Sequence, residues 1–470
     1  MSDTGARGTF QERAHLLLEQ PKIARNIGAA MDMILGVRAS VFRGIDVEAM
    51  RRAGEAIRAH TVANLADYLD RWAENAESRG TRVFFADTGG DAVEYVRKVL
   101  RDRGARLVVK GKSMAAEEIG LNHGLEGDGV EVVETDLGEY IVQIGKETPS
   151  HIIVPAIHHS RGEIRELFNR VHDAELPDEP ERITRFARER LREKFLAADA
   201  GITGVNFAIA ETGSISIVTN EGNGRMCSSL PPVHIALMGM ERILPSFREL
   251  TVMLPLLTGS ATGQRVSTYF NVISGPRRPE DPDGPEELHV VVIDNGRSAI
   301  LPTEFRSILH CIRCGACQNV CPVFRHVGGH AYGTVYGGPI GAVLAPLLDG
   351  FERAGDLPHA SSLCGACTDI CPVRIPLHEH LLGLRRDVAR VRAPMTERLT
   401  FRWWSMLWSS ARGYRLFARV SRMAQWPIAR RRRIRRAPFP FSRWTEGRDL
   451  PAIARKTFRE RWRQDHERGT

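Results

Sequence analysis

Two short cysteine runs constrain this chain more than any other feature. The first reads Cys311-Ile-Arg-Cys314-Gly-Ala-Cys317-Gln-Asn-Val-Cys321-Pro322. The second, Ser361-Ser-Leu-Cys364-Gly-Ala-Cys367-Thr-Asp-Ile-Cys371-Pro372, repeats that spacing with Ser361 where the first cysteine would stand. Seven of the eight cysteines fall in these runs. Such clustering, with no apolar leader in Met1–Gln20, points to metal binding rather than disulfides and predicts a cytoplasmic protein. The C-x2-C-x2-C-x3-C-P order is that of a [4Fe–4S] ligand loop. Three thiolates two residues apart line a tight loop around one face of the cubane, and Gly315 relieves crowding there. Zinc also takes four thiolates, but it usually draws them from paired C-x2-C knuckles.

In two-cluster proteins the fourth cysteine of each run ligates the other cluster. Crossed ligation therefore predicts one site from Cys311, Cys314, Cys317 and Cys371, and a second from Cys321, Cys364 and Cys367. The expected cofactors are two iron–sulfur clusters, at least one of them [4Fe–4S]. Three readings of the second site stay open: a [3Fe–4S] cluster, a [4Fe–4S] cluster with an oxygen or external ligand, or a site that never fills. Ser361 offers only a hard oxygen, and Cys227 can help only if the preceding domain folds onto the runs. Forty-two residues separate Cys321 from Cys364. That connection resembles the helical ferredoxin modules of succinate dehydrogenase iron–sulfur subunits and heterodisulfide reductases, so a mostly helical cluster domain is expected.

A chain of 470 residues exceeds one ordinary core. Its 43% apolar and 26% charged composition is that of a globular protein rather than a disordered one. No run of some 20 apolar residues is present, so a spanning helix is not expected. From Val391 onward there are 21 Lys and Arg against 6 Asp and Glu, and six of the seven tryptophans. The net charge of +8 thus averages a mildly acidic body with a basic, tryptophan-rich tail. Asp46–Arg79 has the periodicity of one long amphipathic helix. After Gly80, β-rich runs (Arg82–Ala86, Leu107–Lys110, Val130–Val133, Ile152–Pro155, Val205–Ile209, Ile215–Val218, His234–Met238, His289–Ile293) alternate with helical stretches. This alternation predicts βαβ units on a largely parallel sheet. The expected divisions are a helical segment at 1–79, an α/β domain at 80–298, the cluster domain at 299–390 and the tail at 391–470.

Other candidates are weaker. Glu211-Thr-Gly213-Ser followed by Asn220-Glu-Gly222-Asn-Gly224-Arg225 offers backbone N–H groups and a cation to an anion, with Glu211 as a base or nucleophile. A hairpin needing positive φ explains the same glycines. His310, His326, His330 and His359, with His158 and His159, can ligate metal or bond to ligands, or simply pack. The run Arg430–Arg436 and the nearby Trp403, Trp404 and Trp408 suit an acidic partner or an anionic membrane surface better than specific nucleic-acid readout.

Taken together, Cys311-Ile-Arg-Cys314-Gly-Ala-Cys317, Arg325-His-Val-Gly-Gly-His330, Tyr336-Gly-Gly-Pro-Ile-Gly341, Ser361-Ser-Leu-Cys364, Glu211-Thr-Gly-Ser214 and Leu230-Pro-Pro-Val-His234 resemble the lactate utilisation protein B family. The resemblance covers about residues 20 to 390, and the gap at Ser361 fits that family. It implies an iron–sulfur subunit passing electrons during oxidation of L-lactate to pyruvate. The implied partners are a cysteine-rich subunit and a smaller protein sharing the α/β domain. It also implies an α/β domain like those of sugar-phosphate isomerases and coenzyme A transferases, followed by the helical ferredoxin-type domain and the tail. A rival role remains, in which the α/β domain itself oxidises a small carboxylate and the clusters drain the electrons.

Overall fold

The computed structural model describes residues 8–425, 427, 429, 433–439, 442–446 and 448–467. Trp426 and Arg430–Arg432 of the basic run lie outside them. Contacts divide the chain into two units, Met1–Val388 and Ala389–Thr470.

Among the described residues the first unit holds ten strands: β1 Arg82–Ala86, β2 Leu107–Lys110, β3 Glu131–Glu134, β4 Ala200–Gly204, β5 Phe207–Ile209, β6 Ser214–Thr219, β7 Val233–Gly239, β8 Ile243–Leu244, β9 Tyr269–Ile273 and β10 Glu287–Ile293. Six of them form a parallel sheet in the order β1-β10-β7-β4-β2-β3. Its middle strands read as continuous apolar runs, such as Val290–Ile293, because helices cover both faces. On one face Gly89–Asp102, Met114–Glu118 and Leu121–Glu126 bury Val96, Leu100, Leu121 and Leu125. Thr88 and Asp91 cap the first of these reciprocally. A smaller sheet, β8-β5-β6-β9, stands beside it with helix Leu65–Glu77 packed between. The chain is thus an α/β sheet domain joined to a helical cluster module, as the alternation and the long inter-run connection predict.

Two local expectations fail for identifiable reasons. Asp46–Arg79 is two helices, Val47–Ala63 and Leu65–Glu77. Asn64 leaves the helical region and its side-chain amide donates back to the His60 carbonyl at 2.8 Å. The break lets the two halves serve different cores. Trp72 of the second half donates its indole N–H to the Ser214 carbonyl at 3.2 Å. Ile152–Pro155 is a turn and not a strand, because the N–H groups of Ile153 and Val154 donate to His151 Nδ1 at 3.0 and 3.1 Å.

Between Cys311 and Val388 the described backbone is helical and turn, without a strand. Helices Phe10–Leu18, Pro21–Val41 and Val47–Ala63 share its core: Phe10, Ile27, Met31 and Val62 join Phe324, Tyr332, Leu344 and Leu381 in one cluster of buried side chains. The N-terminal helices therefore wrap the cysteine module.

The second unit has helices Met395–Trp408, Ala411–Ala424 and Phe458–Glu467, and a two-residue antiparallel pairing of Arg433–Ile434 with Leu450–Pro451. Trp408 packs on Trp404, Tyr414 and Phe417. Phe401, Trp403, Leu416 and Met423 remain exposed among arginines. Among the described residues no helix is long and apolar enough to cross a membrane.

Candidate iron–sulfur sites

The two cysteine runs fold alike. In each, the residue before the middle cysteine is left-handed: Arg313 has φ 58° and Leu363 φ 56°. A glycine follows at φ 72° (Gly315) and 83° (Gly365), a region other residues rarely enter. Each glycine then caps a short helix, Ala316–Val320 or Ala366–Ile370, and these two helices pack together. The Arg313 N–H donates to Cys311 Sγ at 3.4 Å, and the Leu363 N–H donates to Ser361 Oγ at 3.1 Å. The serine hydroxyl thus makes the same local bond as the thiol it replaces. Cys321 and Cys371 follow in extended backbone and accept N–H bonds from Phe324 (3.5 Å) and Ile375 (3.4 Å).

These loops sort the thiols into two groups. Cys311, Cys314, Cys317 and Cys371 line one cavity, together with Ile152, Ile340, Ile375 and Leu377. Cys321, Cys364 and Cys367 are one another's electrostatic neighbours. Burial, followed by the other cysteines, holds the Cys314 and Cys317 thiols far above their usual range. Burial pushes Cys371 and Cys367 up to about 11. Cys364 is exposed, and the Ala366 N–H draws its thiol down. Cys227 belongs to neither group. It is buried in helix Asn223–Ser229 with its sulfur 3.4 Å from Thr135 Oγ1, its thiol pushed up to about 12 by burial.

Around Cys311 lies a buried knot of charge. Glu241, 1% exposed, accepts from Arg297 at 2.8 Å and Arg313 at 3.4 Å. Arg297 also clamps Glu118 with two nitrogens at 2.8 and 2.7 Å, and Tyr336 donates to the same carboxylate at 2.6 Å. Arg313 lies over the Tyr336 ring, 4.5 Å from its centre. Arg58, 1% exposed, donates to the carbonyls of Ile243 (2.8 Å), Leu309 (3.0 Å), His310 (3.3 Å) and Glu241. With Arg242, this knot gathers four guanidiniums around two carboxylates. Cys311 is an electrostatic neighbour of three of them: Arg58, Arg242 and Arg313. The surplus of positive charge therefore faces the first group of thiols.

The other candidates are scattered. Glu211 and Arg225 are both exposed. Glu211 sits in the β5–β6 turn, where Gly213 has φ 67° and a Cβ would fall 2.3 Å from the Ala76 nitrogen. Gly222 instead caps helix Asn223–Ser229, so the two glycine segments serve separate turns. His158 and His159 donate to one oxygen of Glu147 at 2.6 and 2.9 Å, which holds that carboxyl well below the usual range. His330 reaches the Thr148 carbonyl at 2.7 Å and His326 the Pro322 carbonyl at 2.7 Å. His310 is buried, its ring pushed down to about 4 by burial. His359 is exposed.

Sequence reasoning missed a second buried charge cluster at the carboxyl ends of β2 and β3. Lys110 is fully buried between Glu134 (2.8 Å) and Glu117 (3.0 Å). Nearby, burial lowers Lys112 and raises Glu139 to about 8. The doubled lysine in Lys110-Gly-Lys112, directly after an apolar strand, was the available signal.

Comparison with known proteins gives three family matches. The LUD domain matches residues 69–293, the 4Fe-4S dicluster domain residues 307–375, and the family described as lactate utilisation protein B, C-terminal, residues 386–467. "Lactate utilization protein B" of Bacillus velezensis is 50% identical over 424 residues, 90% of this chain and 89% of the relative. "Lactate utilization protein B 2" of Bacillus mycoides has the same identity and coverage. A solved structure of a duf162 family protein from Deinococcus radiodurans is 16% identical and covers 49% of this chain and 98% of its own, at a TM-score of 0.27.

Proposed function

The chain belongs to the lactate utilisation protein B family, and from that premise we propose that it is an iron–sulfur electron carrier in the oxidation of L-lactate to pyruvate. It receives electrons from a partner subunit and passes them to an acceptor. One observation carries the reading: seven thiols gather as four and three at the ends of two matching loops.

The donor set fits the cofactor. Four thiols share a cavity with no acidic side chain in its lining, so ionised sulfurs there would repel one another without a cationic centre between them. The arginine surplus beside Cys311 complements the negative charge that four thiolates bring. We assign Cys311, Cys314, Cys317 and Cys371 to a [4Fe–4S] cluster and Cys321, Cys364 and Cys367 to a second cluster, with Ser361 at the position that Cys311 holds in the first run. When bound, such clusters supply one-electron carriage. The chain's own residues give the first site an apolar lining from Ile152, Ile340 and Leu377, hold both loops in their left-handed turns, and leave Cys364 at the surface. That exposed thiol marks the side on which a redox partner can approach.

The partners proposed are a cysteine-rich subunit and a smaller protein sharing the α/β domain, with the chain at work in the cytoplasm. The second unit's exposed tryptophans and arginines add peripheral contact with an anionic membrane surface. Anaerobic purification with iron and sulfide counts tests the assignment. Two clusters require seven or eight irons, and a colourless protein with stoichiometric zinc refutes it. L-lactate must reduce the chain only when the sister subunits are present. Turnover by the isolated chain would favour the rival role for the α/β domain.

A further inference from the structure

We propose that the Tyr332 hydroxyl donates a hydrogen bond to the Cys321 thiolate and thereby raises the reduction potential of the second iron–sulfur site. The inference rests on the cluster reading and deepens it.

Tyr332 ends the short turn His330–Tyr332 and is fully buried. Its hydroxyl oxygen is shielded from solvent and has no hydrogen-bond partner, sulfur included, among the described residues. The groups that act on it electrostatically are sulfurs: Cys321 first, then Cys317 and Cys367. A buried O–H is seldom left without an acceptor, and a thiolate is the acceptor this pocket provides. The ring is also held in place. Its centre lies 5.2 Å from that of Phe10 on one side and 6.0 Å from that of Phe324 on the other. Arg13 fixes the backbone beneath it, donating to the carbonyls of Ala331 at 2.8 Å and Tyr332 at 3.1 Å. The helix that carries Phe10 and Arg13 thus clamps the phenol.

The consequence follows from charge. Reduction adds an electron to an already anionic centre, and a hydrogen bond to a ligand sulfur stabilises that added charge, which moves the potential upward. Of the two thiol groups, the one with three members also has this donor.

The test uses the full-length chain, loaded and purified anaerobically, with each cluster's midpoint followed by EPR during potentiometric titration. The second site's signal is identified by its loss in Cys367→Ala. Tyr332→Phe should retain the wild-type iron and sulfide content, lower the second midpoint and leave the first unmoved. Replacing Tyr332 by 3-fluorotyrosine, a stronger donor of nearly the same shape, should move the second midpoint upward, and this decides the matter if the phenylalanine variant does not fold. Unchanged midpoints in the loaded variants overturn the hydrogen bond. Loss of iron from the second site in Tyr332→Phe also overturns it, by making the phenol a ligand. A wild-type chain devoid of iron and sulfide overturns the cluster assignment itself.

Discussion

Glu241→Gln is the sharpest test of how the cysteine loop is fixed to the sheet. Glu241 follows the carboxyl end of β7, is almost fully buried, and takes Arg297 and Arg313 on its two oxygens. Those guanidiniums hold its carboxyl down at about 2, overriding burial, so it is ionised throughout the working range. Glutamine keeps the shape and removes the charge, leaving the surplus around Cys311 one unit larger. Removing one partner of a buried pair costs about 3–5 kcal/mol. The first unit ends at Val388. At about 2.1 cal/mol/K per residue, a unit of that length unfolds with roughly 0.8 kcal/mol/K, so the thermal midpoint should fall by about 4–6 °C. Anaerobic melts of the loaded protein by circular dichroism measure it. Arg161→Gln, which breaks an exposed pair with Asp178, is the control and should leave the midpoint unmoved. If Glu241→Gln melts with wild type, the knot does not anchor the loop.

Three further outcomes are expected. Ser361→Cys places a thiol where Ser361 Oγ accepts from Leu363, so it should give eight irons per chain and a second site slower to bleach in air, read by iron count and visible absorbance. Glu139 titrates near 8 in the folded protein against about 4.5 unfolded, so the native state binds the extra proton and stability should fall as pH rises between those values; Glu139→Gln should flatten that slope in urea melts at pH 5.5 and 8. Replacing Trp403, Trp404 and Trp408 by Ser should abolish sedimentation with vesicles containing anionic lipid while leaving iron content unchanged; equal sedimentation by both proteins would remove the membrane contact.

What could be read from the chain follows the range of the physics involved. Ligand spacing is local, so the runs and the serine gap follow from a dozen residues each. Apolar strands such as His289–Ile293 announce themselves for the same reason. The arginine knot does not: Arg58, Glu118, Glu241 and Arg297 come from four separate segments, and only the fold brings them to Arg313 and Cys311. Tyr332 is likewise unremarkable in sequence, since its partners Phe10 and Arg13 lie more than 300 residues away. β4, Ala-Gly-Ile-Thr-Gly, sets two branched residues among Ala and two Gly, too short and too small a run to stand out, and its burial comes from tertiary packing. The break at Asn64 turns on one side-chain bond that periodicity does not register.

The unbalanced arginines beside Cys311 bear on how a newly made chain matures. Before iron and sulfide arrive, only two carboxylates offset the dehydration of four guanidiniums, and the loop they surround has reason to stay open to water. Delivery of the inorganic core would then complete folding as well as equip the molecule. Cells short of assembly machinery should accumulate protease-sensitive apoprotein rather than a stable, empty shell.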